Sequence, residues 1–260
     1  MIGVERVANA VSRKEIKLVA LDIDGTLLNS DHQIPRENIE AITEAQEQGI
    51  CVILSTGRSL MTCGEFADAL KLESYLVTVN GSEIWDKERN LVERNKLDSQ
   101  LVQKMWDLSK EHEDTHIWAA AVGEVWRGEM PEDIHQTEWL KFGFDIKDDV
   151  TRATIREQLE SHPELELSNS SPTNLEINAA GINKALGLEK VGKLLDISLS
   201  EMMAVGDSLN DLAMIKEAGI GVAMGNAQKY VKEQADWVTS TNNEAGVAKA
   251  IRTWVLQTNS

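Results

Sequence analysis

The chain alternates short apolar runs with longer segments whose apolar residues recur every three or four positions. The apolar runs, which include β-branched residues, cover positions 18–21, 50–54, 75–79, 202–206 and 219–223. Runs of this length are typical of buried strands, and the periodic segments are typical of amphipathic helices. Parallel strands need a crossover between them, and a helix is the usual crossover. The pattern therefore predicts an α/β fold with a doubly wound, Rossmann-like parallel sheet.

The pattern changes between residues 85 and 177, where strand-like and helix-like stretches follow one another without strict alternation. Such a mixture favours an α+β unit with its own small core. We predict a core domain over residues 1–84, with residues 1–15 as an N-terminal extension. An inserted cap domain over residues 85–177 follows, and residues 178–260 complete the core. The tryptophans of the insert are expected in its core, with a pocket wall as the alternative for Trp126.

Two of the predicted strands end in acidic residues. Asp22 and Asp24 follow the first strand, and Asp207 and Asp211 follow the strand at 202–206. A buried carboxylate without a partner is costly, so a compensating cation is expected. The side chains of Asp22 and Asp207 and the main-chain carbonyl of Asp24 would offer the oxygen ligands that Mg²⁺ prefers, and Asp211 would orient Lys184 or a water. The alternative is that these aspartates only stabilise turns.

Polar residues also follow the other predicted strands. Thr56, Gly57 and Arg58 come after the second strand and Asn80 after the third. Ligands of open parallel sheets gather at the carboxyl ends of strands, where a hydroxyl and main-chain amides can donate to phosphate oxygens. Lys184 lies in the first turn of a predicted helix, where a positive charge is unfavourable because it opposes the helix dipole. A lysine at such a position suggests a functional role. Helix capping, turn formation and a solvated lysine are the alternatives.

Composition narrows the possible partners and the location. The net charge is −17 and the isoelectric point is near 4.7. Nucleic acids and anionic membranes need a basic surface, so neither is an expected partner. Cys51 and Cys63 are expected to be free thiols of a reducing compartment. No signal-peptide core and no membrane-spanning run is visible, so the expected location is cytoplasmic.

Together these segments resemble the haloacid dehalogenase-like superfamily, and within it the Cof-type phosphatases with a large α/β cap, subclass IIB. The resemblance runs from residue 17 to about residue 252. Its motifs are Asp22-Ile-Asp24-Gly-Thr26, Ser55-Thr-Gly-Arg58, Asn80-Gly81, Lys184, Gly206-Asp207-Ser-Leu-Asn210-Asp211 and Gly221-Val-Ala-Met-Gly-Asn226-Ala. The chain departs from the family pattern in two places, since Ala185 replaces the usual glycine after the lysine and an N-terminal extension is present.

The resemblance implies a role for each motif residue. Asp22 would be the nucleophile that forms an aspartyl-phosphate, and Asp24 would be the general acid and base. Mg²⁺ would be held by Asp22, Asp24 and Asp207. The residues that would bind phosphate or substrate are Thr56, Gly57, Arg58, Lys184 and Asn210, supported by Asp211 and Asn80. A general acid at Asp24 points to phosphate esters rather than carbon–halogen bonds.

We therefore predict a Mg²⁺-dependent phosphatase of a small phosphorylated metabolite, acting as a monomer or weak homodimer. Candidate substrates are a sugar phosphate, a phosphorylated flavin-pathway intermediate and pyridoxal phosphate. A phosphomutase of the same superfamily and a catalytically silent sensor of a phosphorylated ligand are the alternatives. Arg127 and Lys141 are candidates for substrate contacts in the cap, and solvated charges are the competing interpretation.

Overall fold

The computed structural model describes residues 15–256, which form two β-sheets and the helices around them. The strands in chain order are β1 (Leu18–Leu21), β2 (Cys51–Ser55), β3 (Leu76–Thr78), β4 (Glu83–Trp85), β5 (Leu91–Arg94), β6 (Thr115–Ala121), β7 (Glu124–Arg127), β8 (Trp139–Ile146), β9 (Leu165–Ser168), β10 (Asn174–Ala179), β11 (Met202–Gly206), β12 (Ile220–Ala223) and β13 (Trp237–Val238). The α-helices are α1 (Arg36–Glu47), α2 (Leu60–Ala69), α3 (Ser99–Lys110), α4 (Asp149–Glu160), α5 (Lys184–Leu195), α6 (Leu212–Glu217), α7 (Lys229–Gln234) and α8 (Gly246–Trp254).

The larger sheet has eight strands in the order β13-β12-β11-β1-β2-β3-β4-β5. The six strands from β13 to β3 are parallel, and β4 and β5 continue the sheet antiparallel. Helices cover both faces, because successive side chains of a strand point to opposite sides. Val19 packs in one cluster with Ile42 of α1 and Ile251 of α8, whereas Leu18 packs in another with Leu188 of α5. The predicted doubly wound α/β core is confirmed.

The smaller sheet has five antiparallel strands in the order β7-β6-β8-β10-β9. One face is apolar, and its Phe142 and Phe144 pack with Met105 of α3 and Ile155 of α4. The other face carries polar side chains that contact the end of the larger sheet. We call the part of the chain that forms this smaller sheet and helices α3 and α4 the cap.

The structure differs from the sequence-based predictions in two places that matter for the site. Strand β8, at the centre of the cap sheet, was not predicted, although Phe142, Phe144 and Ile146 recur with the period of a strand. The hairpin of β4 and β5 belongs to the core sheet, so the chain leaves that sheet for the cap after Arg94 and not at residue 85. The division at 84/85 and 177/178 otherwise stays a prediction.

The predicted extension lies outside the described residues for positions 1–14. Across residues 15–256 no helix combines the length and the apolar character needed to cross a bilayer.

Candidate active site

The two acidic strand ends meet because β1 and β11 are neighbours in the parallel sheet. Leu21 pairs with Val205, and the amide of Asp22 donates to the carbonyl of Val205 at 3.0 Å. Each chain then turns at the same edge of the sheet. Carboxylate oxygens of Asp22, Asp207 and Asp211 consequently lie within 4.8 Å of one another. The structure thus brings Asp22 and Asp207 to one point, and it adds the Asp211 carboxylate to the group.

A buried lysine partly neutralises this cluster. Lys184, at the start of α5, is 0% exposed, and its Nζ lies 2.6 Å from Oδ1 of Asp22 and 2.6 Å from Oδ1 of Asp211. The side chain of Asn183 caps the helix by accepting from the amide of Leu186. Burial lowers the pKa of Lys184, but the two carboxylates outweigh it and hold that pKa above its usual value. The lysine therefore stays charged and fixes Asp22.

One lysine does not neutralise the negative charge of three carboxylates. Burial, followed by the charge of Asp211, raises the pKa of Asp22 to about 7, although Lys184 opposes the rise. Burial and the charges of Asp211 and Asp22 raise the pKa of Asp207 to about 8. Oδ1 of Asp207 is buried and has no hydrogen-bond partner. The close carboxylates of Asp22 and Asp207, one with an orphaned oxygen, are donors of the kind expected at a divalent cation site, whereas Lys184 and two main-chain amides already hold both oxygens of Asp211.

Two glycines leave room for these carboxylates. Gly25 has a φ of +76°, and a Cβ there would lie 2.5 Å from Oδ2 of Asp207. A Cβ at Gly206 would lie 2.4 Å from Cβ of Asp211. Oδ2 of Asp211 accepts hydrogen bonds from the amides of Asp207 and Ser208, which fixes the turn after β11. The backbone is therefore shaped to bring the acids together, and these residues fit a cation such as Mg²⁺.

Asp24 is oriented differently from the other aspartates. Its carboxylate accepts from Nε and Nη2 of Arg58 at 2.7 and 2.6 Å, and its side chain is 51% exposed. Arg58 also donates to the carbonyl of Thr62 and lies over the ring of Phe66. Asp24 therefore lies beside the acidic cluster, on the wall of the same cavity, with a side chain that solvent can reach.

The segment Thr56-Gly57-Arg58, which we call the TGR loop, lies next to this cluster. The hydroxyl of Thr56 accepts from the amide of Arg58 at 3.2 Å. Oδ1 of Asn80 accepts from the side-chain Nδ2 of Asn210 at 3.3 Å, so the loops after β3 and β11 touch. Both asparagine side chains lie beside Gly57, whose missing Cβ would be 3.0 Å from Oδ1 of Asn80. All the site residues named from the sequence thus lie in one region, and their individual roles stay predictions.

The cap completes a cavity of about 350 Å³ above these residues. Its walls include Asp22, Asp24 and Asp207 from the core. The cap contributes the following wall residues: Trp118, Ala120, Val125, Arg127, Lys141, Ser170, Asn174 and Glu176. Polar groups of both domains converge here on a half-enclosed volume of the size that small molecules occupy, which is about 300–1,000 Å³.

Three of these cap residues differ from the sequence-based expectation. Lys141 is a buried side chain, not a solvated charge, and it pairs with Glu176. Glu176 was not singled out from the sequence. Trp118 lines the cavity although a place in the cap core is expected for it, whereas Trp126 packs against the cap core and not on the pocket wall. Arg127 is exposed and lines the cavity. The available signal was the polar face of the unpredicted strand β8, where Lys141 alternates with phenylalanines.

Comparison with known proteins agrees with this geometry. A family model described as haloacid dehalogenase-like hydrolase matches residues 19–151 and 127–251. The 5-amino-6-(5-phospho-D-ribitylamino)uracil phosphatase YcsE of Bacillus subtilis is 60% identical over 242 residues, which are 93% of this chain and 97% of that protein.

Solved structures show the same fold and cap. A haloacid dehalogenase-like hydrolase from B. subtilis superimposes with a TM-score of 0.83 at 28% identity, covering 91% of this chain and 99% of that one. The subclass IIB sugar phosphatase BT4131 gives a TM-score of 0.80 at 25% identity, covering 91% and 98%. The motifs, the capped acidic cavity and these likenesses lead to one conclusion: the chain belongs to the haloacid dehalogenase-like hydrolases, in the Cof-type group of phosphoric monoester phosphatases.

Proposed function

We propose that this phosphatase hydrolyses 5-amino-6-(5-phospho-D-ribitylamino)uracil, with Mg²⁺ as cofactor and through an aspartyl-phosphate on Asp22. The observation that supports this choice of substrate is the 60% identity, over 93% of this chain, to a phosphatase named for that compound. Among the substrates considered from the sequence, it is the phosphorylated flavin-pathway intermediate. Free thiols at Cys51 and Cys63 support a reducing, cytoplasmic location for the reaction.

Asp22 is the nucleophile of the proposed reaction. Its carboxylate attacks phosphorus, and the bond from phosphorus to the ribityl oxygen breaks. Lys184, 2.6 Å from Oδ1, holds the carboxylate in place and favours its charged form. Mg²⁺, held by Asp22, Asp207 and the main-chain carbonyl of Asp24, would offset the charge repulsion between phosphate and carboxylate.

Asp24 is the general acid and base of the same reaction. Its carboxyl group donates a proton to the departing ribityl oxygen and then takes a proton from the water that attacks the aspartyl-phosphate. The exposure of this side chain supports the role, because the attacking water can reach the carboxyl group from solvent. In this structure both oxygens of Asp24 accept from Arg58, so one of these hydrogen bonds must open before the carboxyl group can carry and donate a proton. The TGR loop and Lys184 hold the phosphate oxygens, the electrostatic contribution that dominates phosphoryl transfer.

The cap side of the cavity suits a pyrimidine with a polyol chain. Trp118 offers an aromatic ring, and the exposed guanidinium of Arg127 offers donors for the ring carbonyls. Ser170 and Glu176 also line the cavity, and the Ser170 carbonyl accepts from Ser208 beside Asp207, so ribityl hydroxyls are assigned to this stretch of the wall. The ring is thus assigned to the cap wall of the cavity and the phosphate to the core wall.

The test measures phosphate release from the purified chain with Mg²⁺ on the ribitylaminouracil phosphate, ribose 5-phosphate, pyridoxal phosphate and an aryl phosphate. The expected kcat/KM is highest for the first compound. Asp22→Asn should abolish turnover of all four. Arg127→Met should raise KM for the pyrimidine and leave the aryl phosphate unaffected, with Arg156→Met on the outer helix α4 as control. A preference for a sugar phosphate or pyridoxal phosphate would refute the proposed substrate, and turnover by Asp22→Asn would refute the nucleophile.

A further inference from the structure

The cap inserts a buried lysine against the core at the TGR loop. Nζ of Lys141 lies 2.9 Å from the carbonyl oxygen of Gly57 and 3.1 Å from Oε2 of Glu176. Its side chain is 3% exposed, and it lies over the ring of Trp118 at 4.8 Å from the centroid. Charged residues are rarely buried unless they are paired. Within residues 15–256 the buried lysines are Lys141 in the cap and Lys184 in the core.

The contact with Gly57 bears directly on the loop that is assigned to phosphate. The carbonyl of Gly57 and the amide of Arg58 belong to one planar trans peptide unit, so they point in opposite directions. Lys141 holds the carbonyl end, and the Arg58 amide is thereby turned toward the hydroxyl of Thr56. A Cβ at Gly57 would lie 3.2 Å from Nζ of Lys141, so the absent side chain leaves the space that the lysine needs.

The partner of Lys141 extends this contact to a second core loop. Glu176 accepts from Lys141, from Nδ2 of Asn80 at 2.6 Å and from the hydroxyl of Ser170 at 2.6 Å. Asn80 in turn accepts from Asn210, so the chain of bonds reaches the loop that carries the second acidic pair. Burial raises the pKa of Glu176, but the charge of Lys141 and the hydrogen bonds from Ser170 and Asn80 outweigh it. The carboxylate therefore stays charged and keeps its partners.

We propose that Lys141 is a positioning residue, through which the seated cap fixes the Gly57–Arg58 peptide and, with it, the Thr56 hydroxyl that is assigned to the phosphate. In this proposal the cap not only covers the active site but also fixes the conformation of the TGR loop within it. The proposal rests on the phosphatase activity and not on the identity of the substrate. Its contact is with the loop backbone, so it should affect every phosphate ester, including those too small to reach Trp118.

The test compares Lys141→Met with the wild type on the aryl phosphate and on the ribitylaminouracil phosphate. Positioning predicts a fall in kcat of tenfold or more on both, with little change in KM for the aryl phosphate. Lys147→Met, an exposed lysine just after the same strand, is the matched control and should leave both constants unchanged. A defect confined to KM for the pyrimidine would overturn the proposal and make Lys141 a ligand of the substrate's ring or chain.

A second measurement keeps the test independent of turnover. Hydrogen exchange at the amides of residues 56–58 should be faster in Lys141→Met, because the peptide unit is no longer fixed. The double variant Lys141→Met with Glu176→Gln removes both charges, so it should recover the folding stability that the single variant loses but not kcat. Unchanged exchange in Lys141→Met, or restored kcat in the double variant, would overturn the proposal. A wild-type chain inactive on all esters would contradict the proposed function, while the exchange result would still decide the role of Lys141.

Discussion

Lys184 gives the strongest prediction for stability, because its charge offsets three closely spaced carboxylates, two of them buried. Lys184→Met keeps most of the side-chain volume but removes the ammonium group that lies 2.6 Å from both Asp22 and Asp211. Removing one partner of a buried ion pair costs about 3–5 kcal/mol of unfolding free energy. For a protein of this size, a loss of 1 kcal/mol lowers Tm by about 2–4 °C, so Tm should fall by roughly 6–20 °C.

The assay is thermal unfolding without divalent cations at several pH values, followed by circular dichroism. The loss from Lys184→Met should be larger at pH 8 than at pH 5, because protonation neutralises Asp22 and Asp207 at the lower pH. Lys193→Met, on the exposed side of the same helix, removes a surface pair with Glu189 and should change Tm by only about 1–2 °C. Equal Tm values for Lys184→Met and the wild type at every pH would refute the argument that Lys184 neutralises the cluster.

Two further predictions concern the cation site. Gly25→Ala should weaken Mg²⁺ binding at least tenfold in calorimetric titration, because the added Cβ would lie 2.5 Å from a carboxylate oxygen of Asp207. Gly123→Ala is the control: its φ of +84° is similar, but the space around it is open, so this variant should bind Mg²⁺ normally. Burial, and then Asp211, raises the pKa of Asp207 to about 8, so its protonated form stabilises the cation-free fold. That contribution is complete below about pH 4 and is lost as the pH rises to about 8, and Mg²⁺ should restore stability most at the high end. Asp207→Asn should lack this loss, so an identical pH dependence of Tm in EDTA for the variant and the wild type would contradict the assignment.

The sequence was sufficient for the core fold and for the meeting of its acidic strand ends. The apolar runs identified β1, β2, β3, β11 and β12, and a parallel sheet places all its carboxyl ends at one edge. The local apolar pattern and this one topological rule were enough to predict that Asp22 and Asp207 lie close together. The comparisons confirm the family, the fold and the phosphatase class that the motifs indicated.

Only the tertiary structure decided what surrounds that point. The bidentate pairing of Asp24 with Arg58, and the burial of Lys141 against Gly57, join residues 34 and 84 positions apart. Such contacts depend on how the cap sheet sits on the core and on which face of β8 is turned toward it. A lysine in a strand has the same local pattern whether it meets water or a carbonyl oxygen of another domain. Its role is fixed by the partner that folding brings to it, and that partner lies far away in sequence.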